Sequence, residues 1–475
     1  MMLMLDEQAR TALWQRVIQQ VESYTAEVAL SHVTPEVTVE GVRALLASFD
    51  FAQPMEALAV VDFTTDCLRQ YQVHTAHPRY FGLFNPAPAT MGIAADTLTA
   101  AFNPQLAAWG HSPFAVEVER HLVRAFGARF GYDPNQTDGV FASGGSEANH
   151  TALLTALTHA FPDFAHGGLR SLPAQPVFYI SAEGHHSFLK AARLCGLGTD
   201  ALREIAANDQ LQMDVPALLS RIRKDRRAGF APFMIVATGG TTNAGVVDPL
   251  SQIAQVASAE KLWCHVDAAW GGAAALSPSL RPVLDGIEGA DSITFDAHKW
   301  LSVPMGAGLY LTRHLDILSQ TFQVSAAYVP PRLDGLDVPD AYAHSIQWSR
   351  RFIGLKVFLS LAVAGWDGYA EVIRQMAAIG ERLREELTAA RWRIVNQTPL
   401  PVVCFVDNEP AADNSASRLE AIVREVLASG QAWLSTTRLG GNKPALRACI
   451  TNYRTTVEDV RVLVQALNQA RAALA

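Results

Sequence analysis

The chain has 475 residues, a formal net charge of -8 and 49% hydrophobic residues. That length exceeds one ordinary core and predicts two domains plus an arm, while the acidic balance argues against nucleic acid or an anionic membrane as partner. No apolar run approaches the roughly 18 residues of a membrane span. The five cysteines (Cys67, Cys195, Cys264, Cys404, Cys449) are scattered, with no CxxC pair and no metal-like spacing, as for reduced thiols in a cytosolic protein. The opening MMLMLDEQAR meets an acid at Asp6 and lacks the basic region and long apolar core of a signal peptide, so a cytoplasmic location is expected.

In chain order, apolar positions at helical spacing predict an amphipathic helix over 11–30. Residues 74–92 (HTAHPRYFGLFNPAPATMG), rich in Pro, Gly and aromatics, read as an irregular connector. From about residue 115, strands and helices alternate. VFYIS (177–181), FMIVAT (233–238), WCHVD (263–267), SITFD (292–296) and GLYLT (308–312) are short continuous apolar runs, separated in places by helical patterns such as 213–226 and 249–260. Such runs predict a mostly parallel sheet covered on both faces. Residues 329–341 (VPPRLDGLDVPDA) read as a flexible loop. A helical stretch over 352–390 then leads to VVCFV (402–406) and LRACI (446–450), strands of a smaller C-terminal domain, and to a last helix over 457–474. The expected division is a helical arm and connector over 1–90, a large α/β domain over 91–345 and a small domain over 346–475.

Four patterns carry chemistry. WCHVD ends an apolar strand on Asp267, and DSITFDAHKW turns after its strand to present His298 and Lys299. A strand-end acid with a strand-end lysine is the pair that pyridoxal phosphate (PLP) demands: the amine forms a Schiff base with the cofactor aldehyde, and the acid holds the pyridine nitrogen protonated. FASGGSEANHTALLTAL (141–157) sets two glycines and Ser146 at a helix start, an arrangement suited to a phosphate but, taken alone, more often an ordinary N-cap. SAEGHHS offers adjacent histidines in a loop before a helix; one imidazole could lie against a planar ring and handle protons, or both could simply be solvated. Metal binding is not expected, because no carboxylate or Cys cluster accompanies them. ATGGTTNAG brings Thr238, Thr241 and Thr242 to the carboxyl end of a strand, the edge where open α/β sheets hold ligands.

In this order the motifs resemble the PLP-dependent group II amino-acid decarboxylases, the family of aromatic-L-amino-acid and glutamate decarboxylases. HPRYFGLF, SGGSEAN, SAEGHHS, ATGGTT, HVDAAWGG, DAHKW and LRACITNYRT carry the likeness from about residue 74 to 455. The resemblance implies fold type I, PLP as cofactor and a homodimer with active sites at the subunit interface. It also implies roles. Lys299 would form the Schiff base and Asp267 would pair with the pyridine nitrogen. His185, rather than His186, would stack on the ring. Gly145 and Ser146 would bind phosphate with His298 and Asp296 nearby, and Thr241 and Ala269 would flank the ring. His77, Leu83 and Phe84 fall in the segment that shapes the substrate pocket. Arg447 matches an arginine of the family's C-terminal domain and reads equally as part of a structural ion pair.

One register departs from the family. Its aromatic enzymes carry a loop tyrosine ahead of an Arg-Arg-Phe helix start, here Arg350-Arg351-Phe352, and an ungapped count lands on Ala341. Tyr342, with a one-residue slip, is the expected proton donor to the substrate carbon, with Tyr328 as the alternative. The expected reaction is decarboxylation of an L-amino acid to its amine. Leu83, Phe84, Trp109 and Phe114 suggest an apolar or aromatic side chain, or are core. The alternatives are the amine-to-aldehyde branch of the family, another fold type I reaction such as an aminotransferase or Cα–Cβ lyase, and an inactive homologue serving as a binding module.

Overall fold

The computed structural model describes residues 3–324, 340–410 and 412–474. The large sheet has seven strands: β1 (Asp138–Ala142), β2 (Pro176–Ser181), β3 (Leu202–Ile205), β4 (Ala231–Thr238), β5 (Trp263–Asp267), β6 (Ser292–Asp296) and β7 (Gly308–Thr312). Their spatial order is β1-β7-β6-β5-β4-β2-β3, and β7 alone runs against its neighbours. Every residue of β2, β5, β6 and β7 is buried, as apolar runs covered on both faces require. The helix Gly145–Ala160 crosses β5, β6 and β7. Its fully buried Ala148, Ala152 and Ala156 recur every four residues, one small-residue face turned inward where a bulkier stripe would hold the helix off the strands.

This arrangement brings the carboxyl ends of β4, β5 and β6 to one edge. Thr238 and Asp267, the last residues of β4 and β5, stand in register, and Asp267 pairs with Thr294, two residues before the end of β6. Two glycines, at the start of the helix Gly145–Ala160 and of β7, allow the close approach there. A Cβ on Gly145 would come within 2.7 Å of Asp296 Oδ2, and one on Gly308 within 2.7 Å of the Gly144 backbone.

A second sheet of four antiparallel strands, β8 (Trp392–Ile394), β9 (Val402–Asp407), β10 (Ser435–Leu439) and β11 (Lys443–Cys449), has the order β10-β11-β9-β8. The helices Gly354–Ala389, Ala416–Ala428 and Val457–Ala473 pack with it. The long helix breaks at Gly365, whose φ of 66° lies outside the helical region. The irregular segment 74–92 is tied to this small domain: Phe81 N–H donates to Trp433 O, and Asn452 Nδ2 donates to the carbonyls of Ala76 and His77.

The N-terminal helix is Glu7–Glu27, four residues ahead of the expected start because Asp6 caps it, accepting from Ala9 N–H at 2.8 Å. It pairs with the helix Ala57–Gln70 through the forked Arg16–Asp62 contact. None of its residues is buried, and Trp14 and Ile18 are exposed. No helix of the described residues is long and apolar enough to cross a membrane.

Candidate active site

A cavity of about 320 Å³ opens at the shared strand edge. Lys299, Asp267, His185, Asp296, His298, Gly145, Ser146 and Ala269 all line it, although they come from four separate stretches of sequence. Asp267 ends β5 and Asp296 ends β6; the turn after β6 aims Lys299 back, so that its Nζ lies 3.0 Å from Asp296 Oδ2. Gly145 and Ser146 form the first turn of a 16-residue helix, where N–H groups have no partners inside the helix and the dipole favours an anion.

The two carboxylates are held differently. Asp267 accepts from Asn149 Nδ2 at 2.8 Å and from Ala269 N–H at 3.2 Å. Asp296 is 1% exposed, and neither of its oxygens has a hydrogen-bond partner among the described residues; the Lys299 ammonium is its counter-charge. Burial pushes the His185 imidazole below its usual range, against the pull of Asp267. His298 is likewise lowered by burial, opposed by Asp296, and its Nδ1 accepts from Ala307 N–H at 3.1 Å. Both rings are therefore neutral near pH 7.

Several expected residues lie elsewhere. Thr241 is fully buried behind the cavity, its hydroxyl accepting from Val246 N–H to close a turn; Thr238 and Thr242 line the cavity instead. His77 is buried against the small domain, with Nδ1 accepting from Arg79 N–H. Leu83 is 56% exposed. Phe84 stacks at 4.5 Å on Trp270, which does line the cavity, so it supports the wall from behind. Trp109 bonds Glu117 at the surface, and Phe114 is 68% exposed. Tyr342 packs its ring on Trp348 and donates its backbone N–H to Ala107 O, away from the cavity lining. Tyr328 lies outside the described residues. Arg447 makes no ion pair among the described residues. Its guanidinium bonds the carbonyls of Thr242 and Gly82 and lies 5.0 Å from the Phe84 ring, joining the small domain to the cavity wall.

Trp270, Asn149 and Met305 also line the cavity and were not anticipated as site residues. Asn149 and Trp270 stand inside the SGGSEAN and HVDAAWGG motifs, so position in a motif was the available signal. Nothing local marks Met305.

The residues present fit PLP. An anion cradle too tight for a Cβ at Gly145, a carboxylate with a donor-supported rotamer and a primary amine face a single cavity large enough for a pyridine ring. Comparison with known proteins agrees. The pyridoxal-dependent decarboxylase conserved domain matches residues 44–407. The chain is 33% identical over 393 residues to the aromatic-L-amino-acid decarboxylase of Bacillus atrophaeus, covering 82% of this chain and 80% of that one. It is 30% identical over 475 residues to the L-2,4-diaminobutyrate decarboxylase of Rhizobium meliloti (strain 1021), covering 98% and 92%. The crystal structure of Oryza sativa TDC with PLP and tryptamine superposes with a TM-score of 0.90 at 25% identity, over 99% of both chains. The chain thus belongs to the group II pyridoxal-dependent decarboxylases, fold type I enzymes that use PLP to decarboxylate amino acids.

Proposed function

We propose that the enzyme converts an L-amino acid with an apolar or aromatic side chain to its amine and CO2. PLP, when bound, supplies a sink for the electron pair left on Cα as the carboxylate departs. Lys299 would hold the cofactor through its aldehyde. The first-turn N–H groups of Gly145 and Ser146 hold the phosphate, with His298 nearby. Asp267 keeps the pyridine nitrogen protonated, which is the largest electronic help the protein can give. His185 would pack on the ring face with Ala269 flanking it, and its neutral imidazole could carry a proton near Cα.

The observation that carries this reading is that Lys299, Asp267 and His185 line one cavity. The substrate class is supported by the wall itself. Trp270 and Met305 line the cavity, and among its described lining residues Lys299 is the only Lys or Arg, so no second cation awaits an acidic side chain. A homodimer is supported by the wholly unburied N-terminal helix with Trp14 and Ile18 exposed, an apolar surface that a second copy would cover. Five free cysteines support a cytoplasmic setting.

A panel of L-amino acids assayed for CO2, amine and peroxide tests the assignment. Aromatic substrates should release CO2 and amine in equal amounts; preferential turnover of diaminobutyrate or acidic substrates would refute the substrate class. The product ratio separates the amine-to-aldehyde branch, in which oxygen rather than a proton reacts at Cα once CO2 has left. If the loop tyrosine is Tyr342, Tyr342→Phe should retain CO2 release and divert product to aldehyde, ammonia and peroxide. An unchanged product ratio moves the role to Tyr328, and stoichiometric peroxide from the wild type establishes the aldehyde branch.

A further inference from the structure

Beneath the cavity floor lies a continuous buried hydrogen-bond chain. Trp263 Nε1–H donates to Ser292 Oγ at 2.8 Å, Ser292 Oγ lies 2.8 Å from His265 Nδ1, and His265 Nε2 lies 3.3 Å from Asn149 Oδ1. Asn149 Nδ2 then donates to Asp267 Oδ2 at 2.8 Å and to Ser187 Oγ at 2.9 Å, and Ser187 Oγ lies 2.9 Å from His185 Nδ1. His265 and Ser292 are fully buried, and Asn149 is 1% exposed.

The direction of every proton in this chain follows from one end. A carboxylate only accepts, so the Asn149 amide must turn its NH2 toward Asp267 and its oxygen toward His265. That oxygen also only accepts, so His265 carries its proton on Nε2. Burial pushes the His265 pKa down to about 4, which leaves the ring neutral and Nδ1 bare, and the Ser292 hydroxyl donates to it. On the other branch, Ser187 Oγ accepts from Asn149 and therefore gives its own hydrogen to His185 Nδ1. The Ser187 backbone N–H, 3.3 Å away, points to the same nitrogen. His185 is left with its proton on Nε2.

We infer that Asn149 and His265 are positioning residues, which hold the Asp267 carboxylate in one rotamer for the cofactor and, through Ser187, fix the tautomer of His185. The inference rests on the reading that Asp267 receives the pyridine nitrogen. It explains why a polar pair occupies a fully buried layer where apolar residues would pack as well: each group is satisfied, and the unsatisfied alternatives cost more than the pair. One amide thereby couples the acid under the ring to the imidazole on its face.

The test titrates cofactor-free protein with PLP, following visible absorbance, across pH 6 to 9, with thermal melting as the check on folding. Asn149→Asp keeps the size of the side chain and puts a second carboxyl against Asp267, with His185 and His265 as the other titratable neighbours. Two carboxyls so close share a proton at low pH, and the protonated Asp donates as Asn149 does; at high pH both ionise and repel. The variant should bind PLP almost as wild type does at pH 6 and at least about tenfold more weakly at pH 9, since a buried donor is lost. His265→Gln, whose amide N–H reaches Asn149 Oδ1 from the place of Nε2, should stay near wild type. His265→Phe should weaken binding by about tenfold. A flat, wild-type pH profile for Asn149→Asp overturns the inference, whether or not His265→Phe folds. Equal affinities for His265→Gln and His265→Phe overturn it too. Asp267→Asn separates the levels: wild-type PLP affinity in that variant would remove the underlying reading of Asp267, whereas weakened binding there with an unchanged Asn149→Asp would remove the relay alone.

Discussion

Asp267 and Asp296 end neighbouring strands, line the same cavity and are almost equally buried, yet their surroundings differ. Asp267 has a side-chain donor and a backbone donor, and its donor is itself held by His265. The Asp296 carboxylate has no hydrogen-bond partner among the described residues, and the Lys299 ammonium is its counter-charge. A carboxylate with several donors keeps its charge and direction whatever happens nearby. One that relies on a single lysine is coupled to whatever that lysine does. The contrast assigns a fixed electrostatic duty to the first and a counter-ion duty to the second.

The largest effect is expected from Lys299→Ala, which removes the amine and leaves Asp296 as a buried charge without compensation. Turnover and the visible absorbance of the bound cofactor should both nearly vanish, and the cofactor-free protein should melt lower than wild type. A variant that keeps its colour and activity would show that another lysine does this work. Asp267→Asn comes next. It preserves size and removes the charge that supports the pyridine proton, so CO2 release should fall by roughly a thousandfold, about 4 kcal/mol of barrier, measured as kcat at saturating PLP. A near-normal kcat would make Asp267 a structural cap. Asp296→Asn should do much less, about a tenfold loss in PLP affinity, because one ion pair and no network is removed. If its effect equals that of Asp267→Asn, the proposed difference between the two acids is wrong.

The strands that present these residues were legible in the sequence because each is a continuous apolar run ending on a polar residue. WCHVD, SITFD and GLYLT match β5, β6 and β7 residue for residue. β1 and β3 were not: DGVFA and LREI are short, and the place of β1 beside β7 depends on pairing across about 170 residues, from Asp138 to Thr312. The same limit explains the site. Lys299 and Asp267 stand out by their chemistry at strand ends, whereas His185 was singled out by the family resemblance alone. By contrast, Thr241 and Thr242 are adjacent threonines, and only the turn closed by Val246 decides which one faces the cavity. Phe84 and Leu83 stand side by side in one motif, and packing against Trp270 separates a wall-supporting ring from an exposed side chain. The role of Arg447 is set by carbonyls 205 and 365 positions away.

The smallest expected effect concerns two buried histidines, one beneath the site and one against the small domain. Burial pushes both His265 and His77 from the usual 6.5 to about 4. Between those values the unfolded chain takes up protons that the folded one does not, so stability should be constant above about pH 6.5 and decline as pH falls toward 4. Denaturant midpoints at several pH values check this, and His265→Gln should make the decline shallower. Stability that rises on acidification over this window would contradict the neutral, direction-setting imidazole at position 265.

The most direct measurement is borohydride reduction of the PLP-loaded protein, followed by peptide mapping of the reduced cofactor. Attachment at Lys299, within the peptide that carries Asp296 and His298, is the predicted result. Attachment at any other lysine would contradict the division of labour between the two acids and the assignment of this cavity as the catalytic site.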